Sequence, residues 1–190
     1  IVAKLSRSTT RLSQMQDIAG CRILLPDTQS VDAARVRVEA RTGGAYLVDD
    51  VDDYRVDGRP DTGYRALHLK LIRDGRFVEL QLRTTLQHAW AEAVERAGER
   101  TGFALKSGEG PDEILSFFRL ASDAFAHVEN GNRVPPTTRA MLRKGLARVR
   151  AYMPAESGPV PTARLPELSF STRSNNWCII YNWRAGRFEY

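Results

Sequence analysis

The sequence predicts an α+β fold: a mixed β-sheet of about five strands flanked by helices, with a C-terminal extension of helices and a β-hairpin. Apolar runs with strand periodicity occupy the first half of the chain, and an Asp-Gly turn at residues 73 to 76 joins two of them. Helical periodicity dominates much of the second half. We therefore expect a core over residues 1–100 and an extension over residues 101–190, packed on the core as one domain.

Composition narrows the class of protein. The 190 residues carry 28 Lys and Arg against 23 Asp and Glu, and the net charge of +5 favours anionic partners such as nucleotides or RNA. The two cysteines, Cys21 and Cys178, adjoin β-prone apolar runs, which predicts buried free thiols in a reducing cytosol. The sequence shows neither a membrane span nor a signal peptide, so we expect a cytoplasmic protein without membrane partners.

The first elements follow from periodicity and from helix-breaking residues. Residues 1 to 15 have the pattern of a helix tail followed by a loop, and because the chain opens with Ile1 inside this pattern, we expect a fragment of a longer protein. The run CRILLP at 21 to 26 ends in proline and predicts an interior strand. A helix is predicted over 29 to 41, before the glycine pair Gly43 and Gly44.

Two strands are predicted at 64 to 72 and 77 to 83, on either side of the Asp-Gly turn. Their leucines alternate with polar residues, so one face should enter the core while the other stays polar. Five side chains that suit a binding or catalytic site share this polar face, namely Tyr64, His68, Glu79, Gln81 and Arg83. The same alternation also fits the solvated side of an ordinary sheet.

Helices are predicted from Thr84 or Thr85, over 111 to 128 and over 136 to 152, and the chain should end in a hairpin that turns at 184 to 186. The buried positions predicted for these helices are Leu86, Trp90, Ala93 and Ala97, then Ile114, Phe117, Phe118, Ala121 and Phe125, and last Leu142, Leu146, Val149 and Met153. The helix at 136 to 152 is rich in Arg and Lys, which fits either a solvated face or RNA binding.

A second carboxylate would turn the polar face into a metal site. Asp17 precedes the strand CRILL and is placed to join Glu79 around Mg²⁺. Phosphoryl chemistry needs hard oxygen ligands and neutralisation of charge on the transferred group. The pair therefore suggests a site for Mg²⁺-dependent chemistry on phosphates.

Three segments, QDIAGCRILLPD, GYRALHLK and VELQLRTTLQHAWAE, together resemble the RelA/SpoT synthetase domain, and most of all the small single-domain alarmone synthetases. The resemblance covers about residues 1 to 100. It implies a nucleotidyltransferase-like fold and an ATP-dependent pyrophosphokinase that transfers the β,γ-pyrophosphate of ATP to the 3′-hydroxyl of GDP or GTP. The product would be (p)ppGpp.

The resemblance also implies roles for individual residues. Asp17 and Glu79 would be catalytic and would bind Mg²⁺, and Arg22 would stack on the adenine of ATP. Lys4 and Arg7 would complete the donor site. The acceptor site would comprise Tyr64, which stacks on guanine, together with His68, Gln81, Arg83, His88 and Glu92. Because the ring makes the stack, we expect Tyr64→Phe to leave acceptor binding nearly unchanged.

Two departures from the family pattern keep other functions open. Most of the upstream basic segment is absent, and RPDTGY replaces the usual P-K-x-N-G-Y before the stacking tyrosine. A relative that makes (p)ppApp or pyrophosphorylates the 3′ end of tRNA therefore remains an alternative, as does a nucleotide-binding module without turnover. A homo-oligomer or an antitoxin partner is compatible with either enzyme.

Overall fold

The computed structural model describes residues 19–44, 46–152, 180–182 and 187–189. The chain forms two compact units, Ile1–Ala91 and Glu92–Tyr190. The division falls within a helix, before the boundary at residue 100 that we expected from the sequence. That the extension packs on the core as one domain stays a prediction.

A four-stranded mixed sheet organises the first unit. Its order is β1-β4-β3-β2, with β1 parallel to β4 and the other neighbours antiparallel. The α+β fold is thus confirmed, with four strands in the main sheet of the described residues instead of about five. The strands are β1 Gly20–Leu25, β2 Leu47–Asp53, β3 Leu67–Arg73 and β4 Arg76–Thr84.

The predicted hairpin between β3 and β4 is confirmed. Asp74 and Gly75 both have positive φ, 51° and 70°, as a two-residue type I′ turn requires. This turn sets the register that places His68 beside Gln81 and Lys70 beside Glu79. Tyr64 lies in the loop before β3 rather than inside a strand as we expected, because its carbonyl oxygen accepts a hydrogen bond from the Arg59 N–H within that loop.

The core of the first unit forms where leucines of the sheet meet one helix. Helix α1, Thr28–Glu39, begins after Asp27, whose side chain accepts a hydrogen bond of 2.7 Å from the Ser30 N–H. Every second residue of β3 is buried, as the alternation predicted. The buried cluster comprises Val31, Leu67, Leu69, Leu71, Leu80 and Leu82.

Strand β1 contradicts the prediction of an interior strand. It lies at one edge of the described sheet, and its side chains Ile23 and Leu24 are 43% and 44% exposed. Cys21 is exposed as well, so the prediction of a buried thiol there is wrong, while Cys178 lies outside the described residues. An apolar run predicts a strand, but its place in the sheet depends on which strands pair with it.

Helix α2, Thr85–Thr101, starts where the periodicity changed. Thr84 Oγ1 accepts a hydrogen bond from the Gln87 N–H at 3.0 Å, and Gln87 Oε1 accepts one from the Thr84 N–H at 3.2 Å. This reciprocal capping box links the end of β4 to the helix. Trp90, Ala93 and Ala97 are buried as expected, whereas Leu86 is half-buried.

Two further helices confirm the predicted extension. Helix α3 spans Asp112–Glu129 and helix α4 spans Pro136–Tyr152, and the two pack together. A short 3-10 helix, Leu105–Ser107, precedes them, and strands β5 Ile180–Asn182 and β6 Arg187–Glu189 form the predicted antiparallel hairpin. Among the described residues, no helix has the length and apolarity to cross a membrane.

Within the described residues, the predicted apolar faces of α3 and α4 are buried at every position but one. Phe125 is half-buried, and Met153 lies outside the described residues. The positions that the structure confirms as buried are Ile114, Phe117, Phe118, Ala121, Leu142, Leu146 and Val149.

A glycine in α2 allows the chain to return close to the helix. A Cβ atom at Gly98 would lie 2.9 Å from the carbonyl oxygen of Phe103, so a backbone atom would have to move. We expect Gly98→Ala to lower the free energy of unfolding by about 1–3 kcal/mol, although alanine favours a helix by about 1 kcal/mol. Chemical denaturation measures this change. Glu99→Ala at the neighbouring exposed position is the control, and equal stabilities of both variants would refute the steric account.

Candidate active site

One face of the main sheet is polar across all four strands. The register forms two rows that run perpendicular to the strands and leave the leucines on the opposite face. A carboxylate, an imidazole, an amide and a guanidinium thereby become neighbours. The first row is Arg22, Gln81, His68 and Asp52, and the second is Gly20, Glu79, Lys70 and Asp50.

Five side chains on or beside this face form a closed ring of polar contacts, which we call the polar ring. Glu79 Oε1 lies 2.9 Å from His68 Nδ1, and His68 Nε2 lies 2.7 Å from the Tyr64 hydroxyl. Arg83 Nη2 donates to that hydroxyl and, at 3.0 Å, to Gln81 Oε1. Gln81 Nε2 closes the ring with a 2.8 Å hydrogen bond to Glu79 Oε2.

The direction of each hydrogen bond in the polar ring follows from its fixed donors. Arg83 can only donate, so the Tyr64 oxygen accepts and its O–H is directed to His68 Nε2. The imidazole then carries its proton on Nδ1 and donates it to Glu79. Glu79 accepts from both His68 and Gln81, and these two donors hold the carboxylate in one orientation.

Tyr64 is held by aromatic and cationic neighbours as well as by hydrogen bonds. The Arg83 guanidinium lies 4.8 Å from the centroid of the Tyr64 ring, and the ring of Tyr54 meets Tyr64 edge-on at 6.2 Å. Burial raises the pKa of the Tyr64 phenol above its usual value, although the nearby Arg83 opposes this shift. The phenol therefore remains protonated at neutral pH and can donate to His68.

Lys70 lies beside Glu79 in the second row and adds a positive charge to the polar face of the sheet. Its ammonium contacts Asp50 Oδ2 at 2.7 Å and Asp52 Oδ2 at 3.1 Å, both on strand β2. Hydrogen bonds to Asp50 and then to Asp52 raise the pKa of Lys70, so its positive charge is secure at any physiological pH.

The position opposite Glu79 on β1 has no side chain. Gly20 is its register partner, and the backbone N–H of Glu79 donates to the carbonyl oxygen of Ala19 at 2.9 Å. A Cβ atom at Gly20 would lie 3.2 Å from the Glu79 carbonyl oxygen. The glycine thus allows β1 to approach Glu79 closely, three residues after Asp17 in the sequence.

The candidate site contains a carboxylate, a donor type that Mg²⁺ prefers. Glu79 supplies hard carboxylate oxygens, and these oxygens contact His68 and Gln81. Within the described residues, no group of three or more His, Cys, Asp or Glu side chains is arranged to hold a metal. A Mg²⁺ site at Glu79 would need a further oxygen ligand, the role that the sequence predicted for Asp17.

The structure brings together most of the predicted site residues that it describes. Arg22 joins the polar ring through its Nε, which donates to Gln81 Oε1 at 3.3 Å. His88 and Glu92 lie one turn apart on helix α2, after the strands that build the ring. Three predicted residues, Lys4, Arg7 and Asp17, lie outside the described residues, and their assignment stays a prediction.

Sequence reasoning missed the residues that fix the loop before Tyr64. Buried Arg65 donates from Nη1 to the carbonyl oxygens of Arg55 and Val56, the first at 2.7 Å. Arg55 itself pairs with Asp53 at 2.7 Å and with Asp32 of helix α1 at 2.8 Å. The alternation of apolar and polar residues did not indicate these roles. The partners of Arg65 are backbone carbonyl oxygens on the other side of a loop, and periodicity does not identify such contacts.

Removal of the phenol hydroxyl of Tyr64 tests the polar ring. Tyr64→Phe removes the acceptor of Arg83 and the partner of His68 Nε2 in a largely buried place. We expect the free energy of unfolding to fall by about 1–3 kcal/mol, the usual cost of leaving buried polar groups unsatisfied.

Thermal and chemical denaturation of both Tyr→Phe variants provides the measurement. The matched control is Tyr152→Phe, whose exposed hydroxyl lies 3.5 Å from Glu113 Oε2 and should matter by less than about 0.5 kcal/mol. A Tyr64→Phe variant as stable as the control would contradict the ring of contacts.

Known structures share this fold. The small alarmone synthetase 1 of Bacillus subtilis bound to its product pppGpp is 23% identical, with a TM-score of 0.57 and 68% of each chain covered. The small alarmone synthetase 2 of the same organism is 22% identical, with a TM-score of 0.54 over 68% of this chain and 70% of that one. A GTP pyrophosphokinase family protein of Streptococcus pneumoniae is 19% identical, with a TM-score of 0.52 over 80% and 72%.

Sequence comparison gives relatives and a family. Uncharacterized proteins of Mycobacterium bovis and Mycobacterium tuberculosis are each 30% identical over 117 residues, which is 61% of this chain. The chain spans 42% of the length of these relatives. Residues 1–98 match the region found in RelA / SpoT proteins, and this match covers all four strands of the main sheet. The chain therefore belongs to the RelA/SpoT family.

Proposed function

We propose that the protein is an ATP-dependent pyrophosphokinase that transfers the β,γ-pyrophosphate of ATP to the 3′-hydroxyl of GDP or GTP, making (p)ppGpp. The observation that carries the proposal is Glu79, a carboxylate held by His68 and Gln81 on a face that also presents Tyr64, Arg83 and Arg22. Membership in the RelA/SpoT family supports this chemistry, as does a neighbouring fold that binds pppGpp as its product.

Glu79 is the residue to which we assign the central chemical role. Its carboxylate is mostly buried, at 20% exposure, and two donors fix its orientation, so no rearrangement is needed to direct it at a hydroxyl. Accepting the proton of the 3′-hydroxyl would let that oxygen attack the β-phosphorus of ATP and release AMP. Bound Mg²⁺ would neutralise charge on the transferred pyrophosphate, with Glu79 and Asp17 as its ligands.

Tyr64 and Arg83 form the acceptor side of the proposed site. Stacking of a purine on the Tyr64 ring would contribute about 1–3 kcal/mol of binding free energy. In this structure, the Arg83 guanidinium lies over that ring. A base that displaces the guanidinium leaves Arg83 beside Gln81, where it can meet the phosphates of the acceptor. His68 lies between the Tyr64 ring and the Glu79 carboxylate. The ribose of a base stacked on Tyr64 would therefore be directed toward Glu79.

The donor side rests on fewer described residues. Arg22 lies on the exposed edge strand β1, and its planar guanidinium suits stacking on the adenine of ATP. Lys4 and Arg7 would contact the donor phosphates.

A changed acceptor is the second candidate function. The segment RPDTGY lacks the usual lysine and asparagine, and Arg59 and Thr62 stand nearby instead. Thr62 is buried, and Arg59 lies over the Tyr54 ring at 5.7 Å. Neither placement supplies an amide to recognise guanine. An adenosine nucleotide, giving (p)ppApp, or the 3′ end of tRNA would then take the place of GDP or GTP. A nucleotide-binding module without turnover is the remaining alternative.

Removal of either proposed carboxylate should abolish the reaction. Glu79→Gln and Asp17→Asn keep the size of the side chain but remove the charge that binds Mg²⁺ and takes the proton, so we expect pyrophosphate transfer to fall by at least about 10³-fold. Transfer from labelled ATP, followed by chromatography of the products, is the measurement.

The control for these variants is Glu109→Gln at an exposed carboxylate of the second unit, which should retain full activity. Circular dichroism should show that all three variants remain folded. Wild-type turnover by Glu79→Gln would refute the catalytic assignment, and an inactive parent protein that still binds ATP would favour the binding module.

Assays with different possible acceptors identify the substrate that receives the pyrophosphate. Labelled ATP is supplied with GDP, GTP, ADP or tRNA, and we expect GDP and GTP to be the acceptors that are modified. Tyr64→Ala should raise the KM for the acceptor by about 5- to 150-fold, the equivalent of losing one stacked base, while the KM for ATP changes little. If only tRNA or only adenosine nucleotides were modified, the second candidate function, with a changed acceptor, would replace the first.

A further inference from the structure

The loop that joins β2 to β3, residues 54 to 66, is closed by main-chain hydrogen bonds, and we call it the Tyr64 loop. At its base, the Tyr54 N–H donates to the Ala66 carbonyl oxygen at 2.9 Å. Near its tip, the Arg59 N–H donates to the Tyr64 carbonyl oxygen, also at 2.9 Å. Tyr64 is therefore held by its main chain as well as by its side chain.

Two arginine side chains fasten this loop to the rest of the first unit. Arg65 is 5% exposed, and its Nη1 donates to the carbonyl oxygens of Arg55 and Val56 across the loop, the first at 2.7 Å. Arg55 in turn donates from Nε and Nη2 to the two carboxylate oxygens of Asp53, at 2.9 and 2.7 Å. Its Nη1 donates to Asp32 of helix α1 at 2.8 Å. Arg55 thus ties the Tyr64 loop to the end of β2 and to α1.

The contacts of Arg55 are of a strong and directional kind. A guanidinium that meets a carboxylate through two parallel hydrogen bonds is fixed in orientation as well as in position. Hydrogen bonds to Asp53 and then to Asp32 raise the pKa of Arg55, and the hydrogen bond from Arg55 lowers the pKa of Asp53. The Arg55 side chain is only 14% exposed, so water competes little for these contacts.

The polar ring alone is not enough to keep Tyr64 in place when an acceptor is bound. In the proposed function, the acceptor base displaces the Arg83 guanidinium, which lies 4.8 Å from the centroid of the Tyr64 ring. A base stacked on that ring does not compete for the carboxylate contacts of Arg55. The tie between the loop and α1 therefore persists while the acceptor is bound.

A Tyr64 loop that moved freely would bind the acceptor more weakly. Loops are ordinarily more mobile than the strands that they connect. Only the fraction of molecules with the loop in place is competent to bind, and the apparent Kd rises as that fraction falls. A loop in place for about one tenth of the time would weaken binding about ten-fold. Fastening the loop before the acceptor arrives avoids this loss.

We propose that Arg55 is a positioning residue for the acceptor nucleotide, because it holds the Tyr64 loop in its binding conformation before the acceptor arrives. The inference rests on the proposed function, since it takes Tyr64 as the stacking partner of the acceptor base. Arg55 acts through Tyr64 and not on the reacting atoms. Its loss should therefore weaken acceptor binding and leave the transfer step and ATP binding nearly unchanged.

Hydrogen exchange of the whole chain without nucleotide, followed by mass spectrometry, tests whether Arg55 orders the loop. Arg55→Gln should speed the exchange of residues 56 to 64 by at least about ten-fold and leave residues 76 to 84 of β4 as in the parent protein. Asp32→Ala breaks only the contact with α1, at a side chain that is 60% exposed, and should speed the loop to a smaller extent without a change in thermal unfolding.

Kinetics and calorimetry with GDP test whether this order serves the acceptor. Arg55→Gln should raise the KM and the Kd for GDP by about 5- to 20-fold, while kcat and the KM for ATP change by less than about two-fold. Asp32→Ala should lie between the parent protein and Arg55→Gln. A general loss of stability would instead lower the amount of active protein and leave the KM for GDP unchanged.

The matched control is Arg35→Gln. Arg35 lies 3.9 Å from the same Asp53 and pairs with Glu39 at 2.8 Å, but it belongs to helix α1 and not to the Tyr64 loop. This variant should keep the loop exchange and the GDP affinity of the parent protein. Equal effects of Arg35→Gln and Arg55→Gln, or an unchanged loop exchange in Arg55→Gln, would overturn the proposal. Faster exchange with unchanged GDP affinity would overturn it too.

Failure of the proposed function gives a different result. A parent protein that binds GDP but transfers no pyrophosphate would refute the proposed reaction alone, because hydrogen exchange and calorimetry would still decide the role of Arg55. A parent protein that binds neither GDP nor GTP would overturn both.

Discussion

The register of the β3–β4 hairpin determines which side chains of these strands enter the core of the first unit and which lie on the polar face. The two-residue turn at Asp74 and Gly75 leaves one pairing, with Leu69 beside Leu80 and His68 beside Gln81. A slip by one residue would turn every leucine of one strand to the polar face and every polar side chain into the core. Burial of Leu67, Leu69 and Leu82 at 0% exposure thus fixes the placement of His68 and Glu79 on the opposite side.

The polar ring shows how buried polarity becomes stable on this sheet. An isolated guanidinium as buried as Arg83, at 3% exposure, would carry a large desolvation cost. Contacts with the Tyr64 hydroxyl, the Gln81 amide and the π-face of Tyr64 reduce this cost, and each of those groups has a further partner, although the buried Nε of Arg83 has no hydrogen-bond partner among the described residues. The same network of contacts orients Glu79. One set of hydrogen bonds therefore both pairs buried polar groups and organises the candidate site.

The second unit balances stability against charge in another way. Its helices α3 and α4 bury Phe117, Phe118 and Leu146, and Gly145 permits close approach, since a Cβ atom there would lie 3.1 Å from Phe117 Cδ2. Apolar packing of this kind contributes several times what a like-charged pair costs. The packed helix is therefore compatible with five Arg and Lys residues and no Asp or Glu.

Local structure was largely predictable from the amino-acid sequence. Asp-Gly indicated the turn, Thr84 or Thr85 indicated the start of α2, and alternation indicated which face of β3 and β4 would be polar, because each depends on neighbours in the chain. The quoted motifs also indicated the RelA/SpoT family. Three features became apparent only in the folded chain: β1 is an exposed edge strand of the described sheet, Tyr64 precedes β3, and Tyr54 and Arg65 support the candidate site. These features depend on strand order and loop closure, which bring together residues far apart in the chain, and periodicity carries no information about such contacts.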